Sequence, residues 1–180
     1  MLGNGNPLEN GRDGPNGSLT GALTTGLRER DYVRLAGRFC DLTRELTEEY
    51  PIDKGVLVLR NDISHQLAAI STYRDGVMCE GLRLNLPTES SLFEKVAEHG
   101  EVYSEDFCDS FSGNFFERKL LLDDDSRSFV VHPLKSDGRV MGLLGYSSRQ
   151  PTAFAMFSEG AIVEQAAALG AMIDGHLGKR

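Results

Sequence analysis

The chain has 180 residues, of which 40% are hydrophobic and 26% charged, as is typical of one globular domain with a sizeable core. Its net charge of −8 argues against direct binding of nucleic acid, because proteins that bind the phosphate backbone present a basic face. No apolar run approaches the ~20 residues of a membrane span, so no membrane partner is expected. Three cysteines, Cys40, Cys79 and Cys108, form no CxxC pair and favour a reduced, cytoplasmic compartment.

Residues 1–26 predict a disordered leader or linker. They are rich in Gly, Asn, Pro, Ser and Thr, and such a segment buries too little apolar surface to offset its ordering entropy. The start, MLGNGNPLENG, lacks the basic and apolar regions of a signal peptide. We therefore expect one folded domain over residues 27–178.

Residues 31–50 predict a long amphipathic helix, which Pro51 stops. Its apolar residues recur at helical spacing and form one stripe, made of Tyr32, Leu35, Ala36, Phe39, Leu42, Leu46 and Tyr50. Three extended segments follow, separated by turn residues and ended by Pro87. They cover residues 55–60, 66–74 and 77–86.

The next part of the chain predicts two short helices around a short strand and an irregular acidic loop. Ser91 and Glu94 have the spacing of a capping box at the start of the first helix, and Gly100 ends that helix. The strand covers residues 101–104, the loop 105–112 and the second helix 113–122.

The stretch RSFVVHPLKSDGRVMGLLGYSS predicts the central hairpin of an antiparallel sheet. Its strands, residues 128–134 and 140–146, flank a turn in which Gly138 is free to take a positive φ. Gly142 and Gly145 allow a neighbouring group to approach the second strand closely.

A final helix is predicted over residues 158–177, with Ser158 as its N-cap. Its apolar stripe is Ile162, Ala166, Leu169, Met172, Ile173 and Leu177. The order of elements predicts an α+β fold with an antiparallel sheet of five or six strands. The long terminal helices cover one face, and the short helices and loops cover the other.

The pattern RS-x-x-x-x-PL-x-x-DG-x-x-x-G-x-L, followed by a Phe and a long amphipathic helix, resembles the GAF domain family of bacterial signalling sensors. The resemblance spans roughly residues 32–177. It implies that a cleft between the sheet and the irregular region holds a small-molecule ligand, but it identifies neither that ligand nor a cofactor.

An aromatic cluster falls in the region that lines this cleft in the family, and consists of Tyr103, Phe107, Phe111, Phe115 and Phe116. Ligand pockets are mostly apolar and aromatic, so we expect these rings to bind the ligand. The alternative is that they only pack the cover onto the sheet. Met78 and Cys79 complete the apolar part of the candidate site. Arg118 and Arg127 are candidate anchors for an anionic group on the ligand.

His132 interrupts an apolar strand, and a buried imidazole needs a hydrogen-bond partner. It is either a core histidine bonded to a backbone carbonyl or a cleft residue that contacts a ligand or a haem-type iron. Strand parity decides between the two, and parity depends on the register.

The sequence contains no P-loop, dinucleotide-binding, HExxH or G-x-S-x-G motif, so no catalytic residue is predicted. The four histidines are scattered over separate elements, and no metal site is predicted. The acidic run 123–125 and the pair Asp106 and Asp109 lack EF-hand spacing. We expect them to form solvated loops that cap helix ends.

Motifs of GAF subfamilies are largely missing. Bilin-binding members need a Cys-His pair, and cyclic-nucleotide-binding members share an Asn-Lys…Phe…Asp-Glu pattern; this sequence has neither. Free methionine sulfoxide reductases are stand-alone GAF enzymes with three cysteines, and Cys79 could match the first pocket cysteine. Residues 89–92, Glu-Ser-Ser-Leu, stand where those enzymes have Gly-Val-Cys-Gly, so one of the two thiols needed is absent.

The main hypothesis is a non-enzymatic, small-molecule-sensing domain of a bacterial signal-transduction or transcription-regulatory protein. It would form a homodimer through its terminal helices and respond to the ligand by helix rearrangement. The alternatives are the thiol-dependent reductase and a ligand-free structural dimerisation module.

Overall fold

The computed structural model describes residues 27–61, 63–79, 82–157, 160 and 162–177, with Cys79 and Leu177 described by their backbone alone. The predicted leader over residues 1–26 and the predicted N-cap Ser158 lie outside this range. Among the described helices, none combines the length and hydropathy that crossing a membrane requires.

The helices and strands follow one another along the chain in the predicted order. In chain order they are α1 (Glu29–Thr47), β1 (Lys54–Arg60), β2 (Leu67–Arg74), β3 (Val77–Cys79), β4 (Leu84–Asn85), α2 (Leu92–His99), β5 (Tyr103–Glu105), α3 (Phe115–Leu121), β6 (Ser128–Ser136), β7 (Arg139–Ser148) and α4 (Ile162–Leu177). The strands form one antiparallel sheet in the order β3-β2-β1-β7-β6-β5, with β4 also paired to β2.

This arrangement confirms the predicted α+β fold with an antiparallel sheet. The sheet has seven strands rather than five or six, because the segment predicted as one strand over residues 77–86 forms two short strands, β3 and β4. Helix α1 ends at Thr47, three residues before the predicted end at Tyr50, whose ring instead packs beside Phe157 with centroids 5.0 Å apart.

Helices α1 and α4 cover one face of the sheet. The described side chains of their predicted apolar stripes are buried or half-buried against the strands, with Tyr146 of β7 at the centre. The Tyr146 ring stacks on Phe39 of α1 at 6.1 Å and meets Phe157 edge-on at 5.9 Å. Its hydroxyl group shares a buried hydrogen bond of 2.9 Å with the hydroxyl of Thr43. This bond satisfies the polar group of Tyr146 inside the helix layer.

Helices α2 and α3 and the segments beside them cover the other face. Strand alternation divides β6 between the two layers: Phe129 and Val131 face α2 and α3, while Val130 and Leu134 face α4. Gly145 of β7 faces the α2–α3 layer, where a Cβ would lie 2.9 Å from Leu121. The predicted close approach at this glycine is therefore confirmed.

The β6–β7 turn is a two-residue loop in which Asp137 and Gly138 both have positive φ, 48° and 77°. Such a turn matches the right-handed twist of the strands, and glycine takes it without steric cost. The positive φ predicted for Gly138 is confirmed.

Gly170 sets the distance between α4 and the sheet. A Cβ at this position would lie 2.8 Å from the carbonyl carbon and 2.9 Å from the nitrogen of Lys135 on β6. Backbone atoms cannot rotate away as a flexible side chain would, so only glycine permits this approach.

Replacing Gly170 with Ala should destabilise the protein by about 1–3 kcal/mol, because α4 must shift away from β6. Gly37 is the matched control, since nothing lies within 4 Å of a Cβ there. Gly37→Ala should stabilise the protein by roughly 0.5–1 kcal/mol, because alanine is favoured over glycine in the middle of a helix. Urea unfolding of both variants tests this, and a Gly170→Ala variant as stable as wild type would contradict the packing argument.

Candidate functional site

Glu117 joins the two cover helices through a fully buried carboxylate. The carboxylate accepts hydrogen bonds from the backbone N–H groups of Leu92 at 2.9 Å and Phe93 at 3.1 Å, and from the hydroxyl group of Ser91. These groups form the first turn of α2, whose N–H groups have no partner within the helix. Glu117 on α3 therefore caps the N-terminus of α2, where the helix dipole also favours a carboxylate.

The same glutamate caps its own helix. The Asn114 side chain accepts from the N–H of Glu117 at 3.0 Å, and Glu117 accepts from the N–H of Asn114 at 3.2 Å, a reciprocal capping box. The spacing Asn114-x-x-Glu117 signals this box in the sequence, although it was not predicted. The box predicted at Ser91 is half formed: Ser91 accepts from the N–H of Glu94, but its own N–H donates to Thr88.

Glu117→Gln should destabilise the protein by about 1–3 kcal/mol, because an amide keeps one acceptor oxygen where the carboxylate has two and places N–H groups against buried donors. Glu94→Gln in the first turn of α2 is the control and should change stability by less than ~0.5 kcal/mol, as its carboxylate accepts none of these bonds. Chemical denaturation compares the two, and equal losses would argue against the cap.

A cavity of about 430 Å³ lies beside α3, in the cover. We call it the cover cavity. Its lining comes from the loop before α3, from α3 itself and from the segment between α3 and β6, and consists of Cys108, Asp109, Ser110, Phe111, Arg118, Leu122, Asp123, Asp124, Ser126 and Arg127. The volume is within the range of small-molecule sites, roughly 300–1,000 Å³.

The structure brings Arg118 and Arg127 together in the cover cavity, as the anion-anchor prediction requires. Within the described part of the chain, neither guanidinium has a hydrogen-bond or ion-pair partner. Each guanidinium presents five donors in a planar fork that matches a carboxylate or a phosphate. The acidic side chains of Asp109 and Asp124 border the same space and are exposed.

Cys108 also lines the cover cavity, although it was not among the predicted site residues. Burial raises the pKa of the thiol, and the nearby Glu105 adds to this effect. A raised pKa keeps the sulfur as a thiol, whereas nucleophilic cysteines need the thiolate. Cys40 is a buried residue of α1, whereas Cys108 packs on the α2–α3 side. The sheet therefore separates the two cysteines.

The predicted aromatic cluster divides into two groups. Tyr103 and Phe111 pack on Phe129 of β6, with ring centroids 5.9 Å and 5.5 Å away. The other three rings are exposed: Phe107 by 65%, Phe115 by 67% and Phe116 by 45%. Phe111 is the member that lines the cover cavity, and Tyr103 lines a second cavity between α2 and β5. Tyr103 and Phe111 thus pack the cover onto the sheet, and a ligand contact by any of the five rings stays a prediction.

Met78 and His132 do not line the cover cavity. Met78 packs against the α1–α4 layer, on the other face of the sheet. The backbone of Cys79 ends β3 opposite Thr72, and its side chain lies outside the described residues. A ligand contact by any of these residues stays a prediction.

The register of β6 places His132 on the α4 side, edge-on to Phe157 at 6.3 Å. Its Nδ1 lies 3.0 Å from the carbonyl oxygen of Pro133, and burial lowers its pKa, which favours the neutral imidazole. His132 thus takes the first of the two predicted alternatives, a core histidine bonded to a backbone carbonyl.

The acidic run after α3 forms a loop in which Asp124 and Asp125 are exposed, as predicted, but among the described residues Asp123 and Asp125 form ion pairs and do not cap a helix end. Asp123 forms ion pairs of 3.3 Å with Lys54 and with Arg74, and Asp125 accepts from Arg149 at 2.8 Å. These pairs lie where β1 begins and where β2 and β7 end, because the sheet brings those strand ends together. Among the described residues, no group of His, Cys, Asp and Glu has the arrangement of a metal site.

Solved structures with the same architecture are GAF domains. The chain is similar to the GAF domain of a phosphoenolpyruvate-protein phosphotransferase from Coxiella burnetii, with 21% identity, a TM-score of 0.63 and coverage of 81% of this chain and 85% of that one. It is similar to the GAF domain of a two-component sensor histidine kinase from Bacillus halodurans, with 18% identity, a TM-score of 0.59 and coverage of 77% and 92%.

An enzyme shares the architecture as well. The free methionine-R-sulfoxide reductase from Neisseria meningitidis has 17% identity and a TM-score of 0.55, over 80% of this chain and 78% of that one. No protein-family model and no curated protein matches the sequence. At these identities the likeness establishes the fold alone, and the chain has the GAF-domain fold.

Proposed function

We propose that this chain is the small-molecule-sensing regulatory domain of a bacterial signal-transduction or transcription-regulatory protein. It acts in the cytoplasm, without catalytic activity of its own, and without direct contact to nucleic acid or membrane. The cover cavity carries the proposal, because it places two arginines without a partner in the described chain beside the ring of Phe111.

The charges of the cover cavity suit a zwitterion. Arg118 and Arg127 would bind a carboxylate, while Asp109 and Asp124 would bind a positive group on the same molecule. A dianion would meet three carboxylates, those of Asp109, Asp123 and Asp124, as well as the two arginines. A small amino acid or a related zwitterion is therefore the ligand class that we propose.

Hydrogen bonds connect the cover cavity to the helix layer. The N–H of Cys108 donates to the carbonyl of Arg127 at 2.6 Å. In the same loop, the backbone carbonyl of Asp106 accepts from the N–H of Thr152 at 2.8 Å. Thr152 lies in the segment that leads from β7 to α4 and carries Phe154 and Phe157 into the core under the helices. A ligand that orders the loop would thus shift the start of α4.

The outer face of α4 suits a helix–helix contact between two copies of the chain. Val163, Ala167, Ala171 and Gly175 are exposed and four residues apart, so they lie along one side of the helix. Small side chains let a second helix approach closely. We propose that the domain forms a homodimer through its terminal helices, and that the ligand changes how these helices pack.

Native against denaturing mass spectrometry of the purified protein tests the sensor and the dimer together. We expect a dimer with added mass that is lost on denaturation. A monomer at micromolar concentration would contradict the dimer. Added mass on that monomer would still show that a ligand is bound, because the two readouts are independent.

Arg118→Gln and Arg127→Gln should each weaken ligand binding by about tenfold or more, because each substitution removes one charge-assisted hydrogen bond. A thermal-shift screen of amino acids first identifies the ligand, and calorimetry then gives the affinities. Lys119→Gln is the control, since Lys119 neighbours Arg118 on α3 but does not line the cover cavity. Equal affinity in all three variants, or no binding by any amino acid, would contradict the proposed site.

A reductase is the second candidate, because Cys108 lies in the cover cavity and the fold matches a free methionine-R-sulfoxide reductase. The raised pKa of the thiol argues against it. We expect no turnover of free methionine-R-sulfoxide with a dithiol reductant. Turnover that Cys108→Ser abolishes and Cys40→Ser retains would establish the enzyme instead.

A further inference from the structure

A third cavity, of about 260 Å³, lies at the other end of β1 from the Asp123 ion pairs. We call it the sheet-end cavity. The end of β1, the C-terminus of α2, the loop after β1 and the β6–β7 turn enclose it. Its lining residues are Arg60, His65, Ala97, Glu98, His99, Gly100, Lys135, Gly138, Arg139 and Val140.

The sheet-end cavity is strongly basic in an acidic chain. Three permanent cations line it, from Arg60, Lys135 and Arg139, and two histidines are next to them, whereas Glu98 is the acidic residue of its lining. The whole chain has 27 acidic and 19 basic side chains. Cations gathered in a concave surface concentrate positive potential and attract anions.

Structural roles explain only part of this charge. Arg60 donates to the carbonyl of Ala97 at 3.4 Å, and a cation beside the C-terminus of a helix is favourable. Lys135 comes from a separate strand, and its ammonium group has no hydrogen-bond or ion-pair partner in the described ranges. The Lys135 side chain lies over Gly100, where a Cβ would be 3.3 Å from Nζ, so glycine leaves room for it.

We infer that the sheet-end cavity binds a small phosphate-bearing anion, such as a phosphate monoester. Arg60, Lys135 and Arg139 come from three neighbouring strands, β1, β6 and β7, and would donate charge-assisted hydrogen bonds to the phosphate oxygens. The cavity is below the size range of drug-sized ligands, which favours a compact anion. The site is separate from the cover cavity and shares no lining residue with it.

The proposed anion would compete with a residue of α4. Asp174 of α4 accepts from Arg139 at 3.1 Å and from the hydroxyl group of Ser136 at 3.1 Å, which holds the C-terminal part of α4 on the β6–β7 hairpin. An anion in the cavity would attract the same guanidinium. The site is thereby linked to α4, and this link rests on the proposed function, in which α4 carries the signal.

Two-dimensional ¹H–¹⁵N NMR with inorganic phosphate as the probe, at constant ionic strength, tests the inference. We expect saturable shifts at Gly100 and Gly138, and smaller shifts at Gly175 on α4. Lys135→Gln should weaken phosphate binding by about tenfold, and Lys135→Glu should abolish it. Lys135 is exposed, so both variants should fold, and their spectra report this directly.

The controls separate the two sites. Arg118→Gln and Lys119→Gln should leave the phosphate affinity unchanged, because neither residue lines the sheet-end cavity. Shifts that do not saturate, or an affinity that Lys135→Glu leaves intact, would overturn the phosphate site whatever the cover cavity binds. Shifts confined to the cavity, with Gly175 unmoved and Asp174→Asn binding no more tightly than wild type, would overturn the link to α4.

Discussion

The cover of this protein depends on one buried carboxylate. Glu117 accepts hydrogen bonds from the first turn of α2 while it caps α3, so a single side chain fixes how the two helices meet. The first turn of α2 would otherwise bury N–H groups without a partner, at a cost of about 1–3 kcal/mol each. Because α3 is held in this way, Arg118 and the segment after the helix take up fixed positions beside the cover cavity.

The sheet separates two layers that differ in how tightly they pack. On the α2–α3 side, the apolar side chains leave a cavity with unused charge, which is the arrangement expected of a binding site. On the α1–α4 side, Tyr146 and Gly170 hold the helices tightly against the strands. Thr152 joins the segment before α4 to the cover loop at one end of the sheet, and Asp174 joins α4 to the β6–β7 hairpin at the other. Both proposed ligands would therefore act on α4 from opposite ends of the sheet.

Local patterns in the sequence were sufficient for most of the fold. Helical spacing of apolar residues located α1, and the caps Ser91 and Gly100 bounded α2, because these signals depend on residues a few positions apart. The Asp137-Gly138 turn joined β6 to β7 for the same reason. The division of residues 77–86 into two strands was missed, since it depends on how each half pairs with β2.

The sequence by itself determined the α+β class, the hairpin and the amphipathic helices, because side-chain periodicity and turn chemistry are properties of short segments. Only the tertiary structure decided which residues line the cover cavity. Strand register turned His132 and Met78 away from the cover, and the packing of the loop before α3 and of α3 itself left three of the five clustered rings exposed. The hydrogen bonds of Glu117 with α2, and the placing of Lys135 and Arg60 around one cavity, involve residues far apart in the chain, and no local pattern specifies which distant groups will meet.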